Sequence, residues 1–234
     1  MPEPQPLGTT ALASRLSGIL AARGITADPS AHLAPVAPAG GHVAALQAAE
    51  VRIPPRYQAA LADHPQVQAW IQQLIRAACP GPDGTSGIAR GGSLLLVGPT
   101  GTGKTHQAYG AIRSLLTAGV RLRWHATTAA DLYANQRPRP GHDAERDLQA
   151  LMRCPLLVLD DIGAAKASEW TEELTYRLIN HRYEQLLPTL LTTNLPIRDL
   201  RAGLGDRITS RLAEMTERVT LTGTDRRRHT TTAA

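Results

Sequence analysis

The stretch Gly98-Pro99-Thr100-Gly101-Thr102-Gly103-Lys104-Thr105 decides the fold of this chain. It fits G-x-x-x-x-G-K-[ST], a loop whose glycines let successive backbone N–H groups curl around phosphate oxygens. Its flanks agree. Ser93–Val97, reading SLLLV, is a short apolar run suited to a strand buried on both faces. After the loop, Ala108, Ile112, Leu115 and Leu116 fall on one face of a helix that Gly119 can end. Strand, glycine loop and helix start thus follow in the order that aims a helix N-terminus at an anion. Lys104 then reaches the β- and γ-phosphates of a nucleoside triphosphate, and the Thr105 hydroxyl holds Mg²⁺.

Of the 25 lysines and arginines, only Lys104 and Lys166 are lysines. The lysine kept in the loop is the one whose flexible point charge the phosphates need, and the site reads as one for ATP. With 234 residues, 42% of them hydrophobic, the chain can bury a core. It has no Phe and only 3% aromatics, so Leu, Val, Ile and Ala must fill that core. A net charge of +5 suits an anionic partner. Cys79 and Cys154 form no C-x-x-C, and the eight histidines show no ligand spacing, which argues against a structural zinc site or a disulfide framework. No apolar stretch approaches membrane-spanning length and the first residues lack a secretory pattern, so a cytoplasmic protein without a membrane partner is expected.

Residues 1–50 read as a helix over about 11–23, a Pro/Ala/Gly-rich linker over 28–41 and a short helix at 43–50; the apolar stripe of the first helix needs a surface to pack on, either the chain's own ATPase domain or a partner protein. Residues 51–234 read as the ATPase domain with a short basic tail. There, about 56–78 is helical with an interruption near Pro65, and Pro80–Gly92 is a loop. Val120–His125 is a second strand, and Thr127 or Thr128 caps a helix through Leu132. Arg137 and Arg139 lie in an exposed turn before a helix at about 143–152. Pro155–Leu159 is a buried strand ending in Asp160-Asp161, and a helix over about 168–187 is capped by Ser168. Thr189–Thr193 is a strand with Asn194 at its tip, Leu204–Met215 a helix, and Arg218–Leu221 the last strand. Apolar strands alternating with helices predict an α/β domain on a parallel sheet flanked by helices.

A carboxylate at the carboxyl end of such a strand sits where these sheets bind ligands. Asp160 is placed to hold Mg²⁺ through water beside Thr105, and Asp161 to orient or deprotonate an attacking water; the competing reading is an Asp pair that starts a turn. Asn194 can reach the γ-phosphate or that water, or serve as a turn residue before Leu195-Pro196. Arg207 and Arg211, at i and i+4, repel unless an anion receives them. An arginine finger into a neighbouring subunit's ATP fits, and so does a solvated basic face.

Taken together, GPTGTGKT, LLVLDDIGA, the serine-capped Glu-Trp helix, LLTTN, GDRITSRLAEM and TGTDRRR resemble the DnaC/DnaI-type ATPases that load replicative helicases, with the transposition helper IstB a close relative. The resemblance covers about 51–228. It implies a P-loop NTPase of AAA+ type without a separate helical lid domain, and Asp160 and Asp161 as the Walker B pair. It implies Asn194 as the first sensor, Arg211 as the arginine finger with Arg207 beside it, and Arg227, within Arg226–Arg228, as a late sensor of nucleotide. It also implies ATP-dependent homo-oligomers on single-stranded DNA, with a replicative helicase or a transposase as protein partner. Residues 1–50 carry no zinc-binding cysteines of the DnaI kind. Arg137 and Arg139 are candidate DNA contacts, against a solvated loop. A nucleotide kinase shares the phosphate loop but would carry an arginine-rich lid, and a binding module would use ATP only as a switch.

Overall fold

A computed structural model of the chain describes residues 51–80, 86–164 and 168–223. The expected elements within 1–50, and Lys166 and Arg227, lie outside these residues. A 3₁₀ turn at Pro55–Tyr57 precedes helix α1 (Pro65–Ala77), so the expected interruption falls ahead of Pro65, which opens α1 as its first residue. Two short strands, β1 (Cys79–Pro80) and β2 (Ser86–Gly87), pair antiparallel. The main sheet then alternates with helices: β3 (Ser93–Val97), α2 (Lys104–Thr117), β4 (Trp124–Thr128), α3 (Ala129–Asn135), α4 (Ala144–Arg153), β5 (Leu156–Asp160), α5 (Glu169–Glu184), β6 (Thr189–Thr193), α6 (Ile197–Leu204), α7 (Asp206–Met215) and β7 (Thr216–Thr220).

All pairings in this sheet are parallel, in the order β4-β5-β6-β3-β7. The period-two pleat sorts the apolar runs onto two faces. Leu94, Leu96, Val158, Leu190 and Val219 pack with Trp70, Leu74, Ile112 and Leu115 from α1 and α2. Leu95, Val97, Leu157, Leu159 and Leu191 pack with Leu132, Leu148, Leu178 and Leu212 from α3, α4, α5 and α7. Covered on both faces, β3 and β6 are buried at every position, as their unbroken apolar or threonine runs predict. β6 lies between β3 and β5, which brings the tip carrying Asn194 between the phosphate loop and the acidic pair.

Several boundaries differ from expectation. The last strand spans Thr216–Thr220 rather than Arg218–Leu221, because Thr216 and Glu217 already pair with Ser93 and Leu94. The second strand begins at Trp124, because only from there does it pair with β5, in the register Trp124↔Leu156. Val120 and Leu122 alternate inward as a strand would, but the run ahead of Trp124 makes only the bridge Gly87↔Arg121. The helix expected over Leu204–Met215 is two helices broken at Gly205, whose φ is 81°. That backbone angle favours glycine, while the nearest atom a Cβ would meet is only the flexible end of the exposed Glu172 side chain. α5 stops at Glu184, ahead of Leu186 at φ 54°. Among the described residues no helix is long and apolar enough to cross a membrane.

Candidate nucleotide site

The loop leaves β3 pinned to its neighbours. Gly98 N donates to Thr193 O at 3.2 Å, and a Cβ on Gly98 would sit 2.2 Å from Leu221 O. That close approach explains the first glycine of the motif. Gly101 and Gly103 take φ of 87° and 95°. Gly103 is the N-cap of α2 and supplies no side-chain acceptor, so the first-turn N–H groups point their donors at the loop's concavity. Thr102 Oγ1 closes the loop on itself by donating to Pro99 O at 2.9 Å. Lys104 is 8% exposed, and its Nζ donates to Gly98 O and Pro99 O at 2.7 and 2.9 Å.

At the end of β5, Asp160 accepts from Thr105 Oγ1 at 3.1 and 2.9 Å on its two carboxylate oxygens. Thr192 Oγ1 donates to Asp160 Oδ1 and accepts from Asp161 N at 2.9 Å. Thr193 Oγ1 donates to Ile162 O at 2.8 Å. Two threonines of β6 therefore lace the acidic turn in place. Asp161 is exposed, with φ 60°. Asn194 Oδ1 is buried and takes no hydrogen bond from the protein among the described residues, which leaves its acceptor capacity to a ligand or water in the cavity.

Thr100, Gly101, Gly103, Lys104, Thr105, Asp160, Asp161 and Asn194 line one cavity of about 660 Å³, which also takes in Arg56, Tyr57, His106, Thr128 and Thr192, whereas Gly98, Pro99 and Thr102 shape the loop from outside that lining. Arg56, Tyr57, His106 and Thr128 were not legible as site residues, whereas Thr192 belongs to the polar strand end, with Asn194, that was expected to reach the γ-phosphate. Tyr57 stacks on Tyr109 of α2, with centroids 4.8 Å apart and planes 12° off parallel. Gly110 lets this happen: a Cβ there would lie 2.4 Å from the Leu61–Ala62 backbone, so α2 and the 51–64 segment pack backbone to backbone. Burial, and then the Asp160 charge, push the Tyr109 phenol above its usual range. The Ile53-Pro54-Pro55-Arg56-Tyr57 run was the available signal, since its prolines set the turn that delivers both side chains.

The structure does not bring every candidate here. Arg207 and Arg211 stand on α7 against α5, outside the lining of the cavity, with their guanidinium groups over Tyr176. Arg137 and Arg139 lie in the turn between α3 and α4, also outside it. Among the described residues no group of three or more His, Cys, Asp or Glu forms a metal cage. The paired hydroxyl and carboxylate of Thr105 and Asp160 are hard oxygen donors of the kind Mg²⁺ takes alongside phosphate oxygens. Chemically, the cavity offers an anion cradle, a buried ammonium, this oxygen pair and a second, exposed carboxylate.

Residues 83–234 match the family model described as IstB-like ATP binding protein. An insertion sequence IS21 putative ATP-binding protein of Pseudomonas aeruginosa is 32% identical over 128 residues, covering 53% of this chain and 46% of the relative. The replicative helicase loader DnaC of Escherichia coli is 28% identical over 123 residues, covering 51% and 49%. The chain thus spans about half the length of the curated relatives it matches. Among solved structures, the DnaC helicase loader superposes with a TM-score of 0.60 at 26% identity, over 72% of this chain and 100% of that one. DnaI shares the fold with a TM-score of 0.57 at 20% identity, over 67% of this chain and 84% of that one. The sheet and its helices are therefore those of the P-loop AAA+ proteins.

Proposed function

Because the chain belongs to the IstB-like ATP-binding protein family, we propose that it hydrolyses ATP to ADP and phosphate and acts in DNA replication as a helicase loader. The observation that carries the chemistry is the convergence of Lys104, Thr105, Asp160, Asp161 and Asn194 on one cavity at the end of three adjacent strands. In this reading the loop N–H groups and the α2 N-terminus receive the phosphates. Lys104 exchanges the Gly98 and Pro99 carbonyls for β- and γ-oxygens. Thr105 and, through water, Asp160 hold Mg²⁺, which neutralises charge developing on the phosphates. Asp161 orients the attacking water and takes its proton, with Asn194 Oδ1 as a second acceptor for that water. Tyr57 and Arg56 offer a flat, cationic wall for the base and sugar. Arg211, with Arg207 beside it, serves the ATP of the next subunit in a homo-oligomer assembled on single-stranded DNA, and Arg227 senses the nucleotide from within its own chain. Arg137 and Arg139 are the proposed DNA contacts.

The loader role is supported by the match to DnaC over the whole of its solved chain. A second reading, a transposition helper, is favoured by the family model and by the IS21 relative. Adding the purified chain to a replicative helicase on circular single-stranded DNA, and separately to a transposase, tests them. The loader reading expects ATP-dependent helicase loading that Lys104→Ala abolishes. Stimulated DNA strand transfer without helicase loading would replace it with the second reading. Parent-rate ATP hydrolysis by Lys104→Ala would remove the site itself.

A further inference from the structure

Arg207 and Arg211 stand one turn apart on α7, and among the described residues neither closes an ion pair with a carboxylate. Like charges at this spacing repel, yet both guanidinium groups are held against the Tyr176 ring, and Arg211 Cζ also lies 5.8 Å from the Tyr183 centroid. Arg207 Cζ lies 3.8 Å from the Tyr176 centroid and Arg211 Cζ lies 4.9 Å from it. Arg211 also donates to Tyr176 Oη at 3.2 Å, to Asn180 Oδ1 at 2.6 Å and to Arg207 O at 3.0 Å. Every one of these partners is neutral. They fix two long side chains, at a cost in rotamer freedom, without cancelling either charge. Glu169, Glu172 and Glu173 share a small cavity of about 210 Å³ with Tyr176 and Arg207, but none of them reaches Arg207 as an ion pair. The ring is itself fixed, half-buried on α5 against the core between sheet and helices.

A solvated basic face needs no such scaffold, whereas a pair of cations kept ready for an anion does. We infer that Tyr176 is the positioning residue that holds Arg207 and Arg211 as a preformed pair for the triphosphate bound by a second copy of this chain. This rests on the proposed role of Arg211 in trans. An aromatic face suits the task, since it attracts a guanidinium through its centre; Arg211 donates once from each of its three nitrogens, which leaves one N–H on Nη1 and one on Nη2 for phosphate oxygens. Small misplacement of a catalytic group is expensive: about 1 Å can cost about 10² in rate.

The test compares Tyr176→Leu, Tyr176→Phe and Arg211→Ala in the full chain. It reads kcat and KM at protein concentrations where turnover per subunit has levelled off, the Kd of a fluorescent ATP analogue, and the melting temperature. Tyr176→Leu is expected to lower kcat about 10- to 100-fold while KM, Kd and melting temperature stay at the parent values. Tyr176→Phe keeps the face and loses only the hydroxyl contact, so kcat should fall no more than about 3- to 10-fold. Parent turnover in Tyr176→Leu beside a defective Arg211→Ala would overturn the role of Tyr176 and leave the arginine in place. Parent turnover in Arg211→Ala would overturn both. A kcat loss in Tyr176→Leu matched by a lower melting temperature or weaker ATP binding would make Tyr176 a packing residue and likewise overturn the inference.

Discussion

Asp161 is one of two described residues other than glycine with positive φ. Its backbone N–H is tied to Thr192 Oγ1, and its side chain stands exposed at the cavity. Asp and Asn tolerate the left-handed region better than other non-glycine residues, so Asp161→Asn removes the charge and leaves the turn intact. That variant should bind ATP with the parent Kd and melt at the parent temperature, while turnover falls about 10²- to 10⁴-fold, the usual contribution of a general base. Asp161→Ala should lose the same activity and, in addition, about 1–2 kcal/mol of stability for forcing alanine into that region, measured by urea denaturation. Equal activity loss with weakened ATP binding in the Asn variant would make Asp161 a structural residue. At this scale the sequence exposed what its motif spacing encodes, from Gly98 to Thr105 and the acidic pair. Arg56 and Tyr57 had no such spacing, because their place depends on a backbone-to-backbone contact at Gly110. The contact of Thr192 with the acidic pair was hidden for a different reason. Within TLLTT every threonine reads as a β-former, and only the sheet order shows which one reaches Asp160.

Among the elements, α5 carries more than its amphipathic pattern declares. Ser168 and Thr171 form a reciprocal cap at its start, and Arg182 near its end is fully buried. The guanidinium donates to Leu151 O, Met152 O and Cys154 O where α4 ends, to Pro188 O, and to Thr189 Oγ1 where β6 begins. One side chain thus satisfies the end of one helix and sets the starts of two strands. Burial pulls its pKa down to about 10, so it remains protonated at neutral pH, with no carboxylate partner among the described residues. Arg182→Met should cost about 3–5 kcal/mol in chemical denaturation, since it leaves several buried carbonyls without donors. Arg182→Lys should recover little of this, because an ammonium cannot reproduce the planar fork. A loss below about 1 kcal/mol would mean that water replaces the donors. Nothing in NHRYEQ marks this arginine as interior, whereas the strands were legible because burial on both faces demands unbroken apolar runs. The edge strand β4, with one neighbour, had a weaker pattern, and its start was displaced accordingly.

For the whole molecule, the separation of the arginine pair from the cavity is the feature with the largest functional reach. Arg211 lies on α7, outside the cavity lining, so in the proposed mechanism one copy supplies the phosphate cradle and the next supplies the guanidinium. Turnover per subunit should then rise with protein concentration until oligomers saturate, rather than stay constant. Arginine fingers supplied in trans contribute about 10³–10⁵ in rate, far more than a surface ion pair worth about 0–1 kcal/mol. Arg211→Ala should therefore bind ATP nearly as the parent does and hydrolyse it poorly at every concentration. Mixing it with Asp161→Asn is the decisive measurement. Each variant alone lacks one half of every site, but mixed assemblies contain junctions where an intact Asp161 faces an intact Arg211. Activity recovered on mixing, highest near equal proportions, would place the arginine in trans. If light scattering shows mixed assembly and no activity returns, Arg211 acts within its own chain or only supports α7, and turnover independent of concentration would lead to the same conclusion.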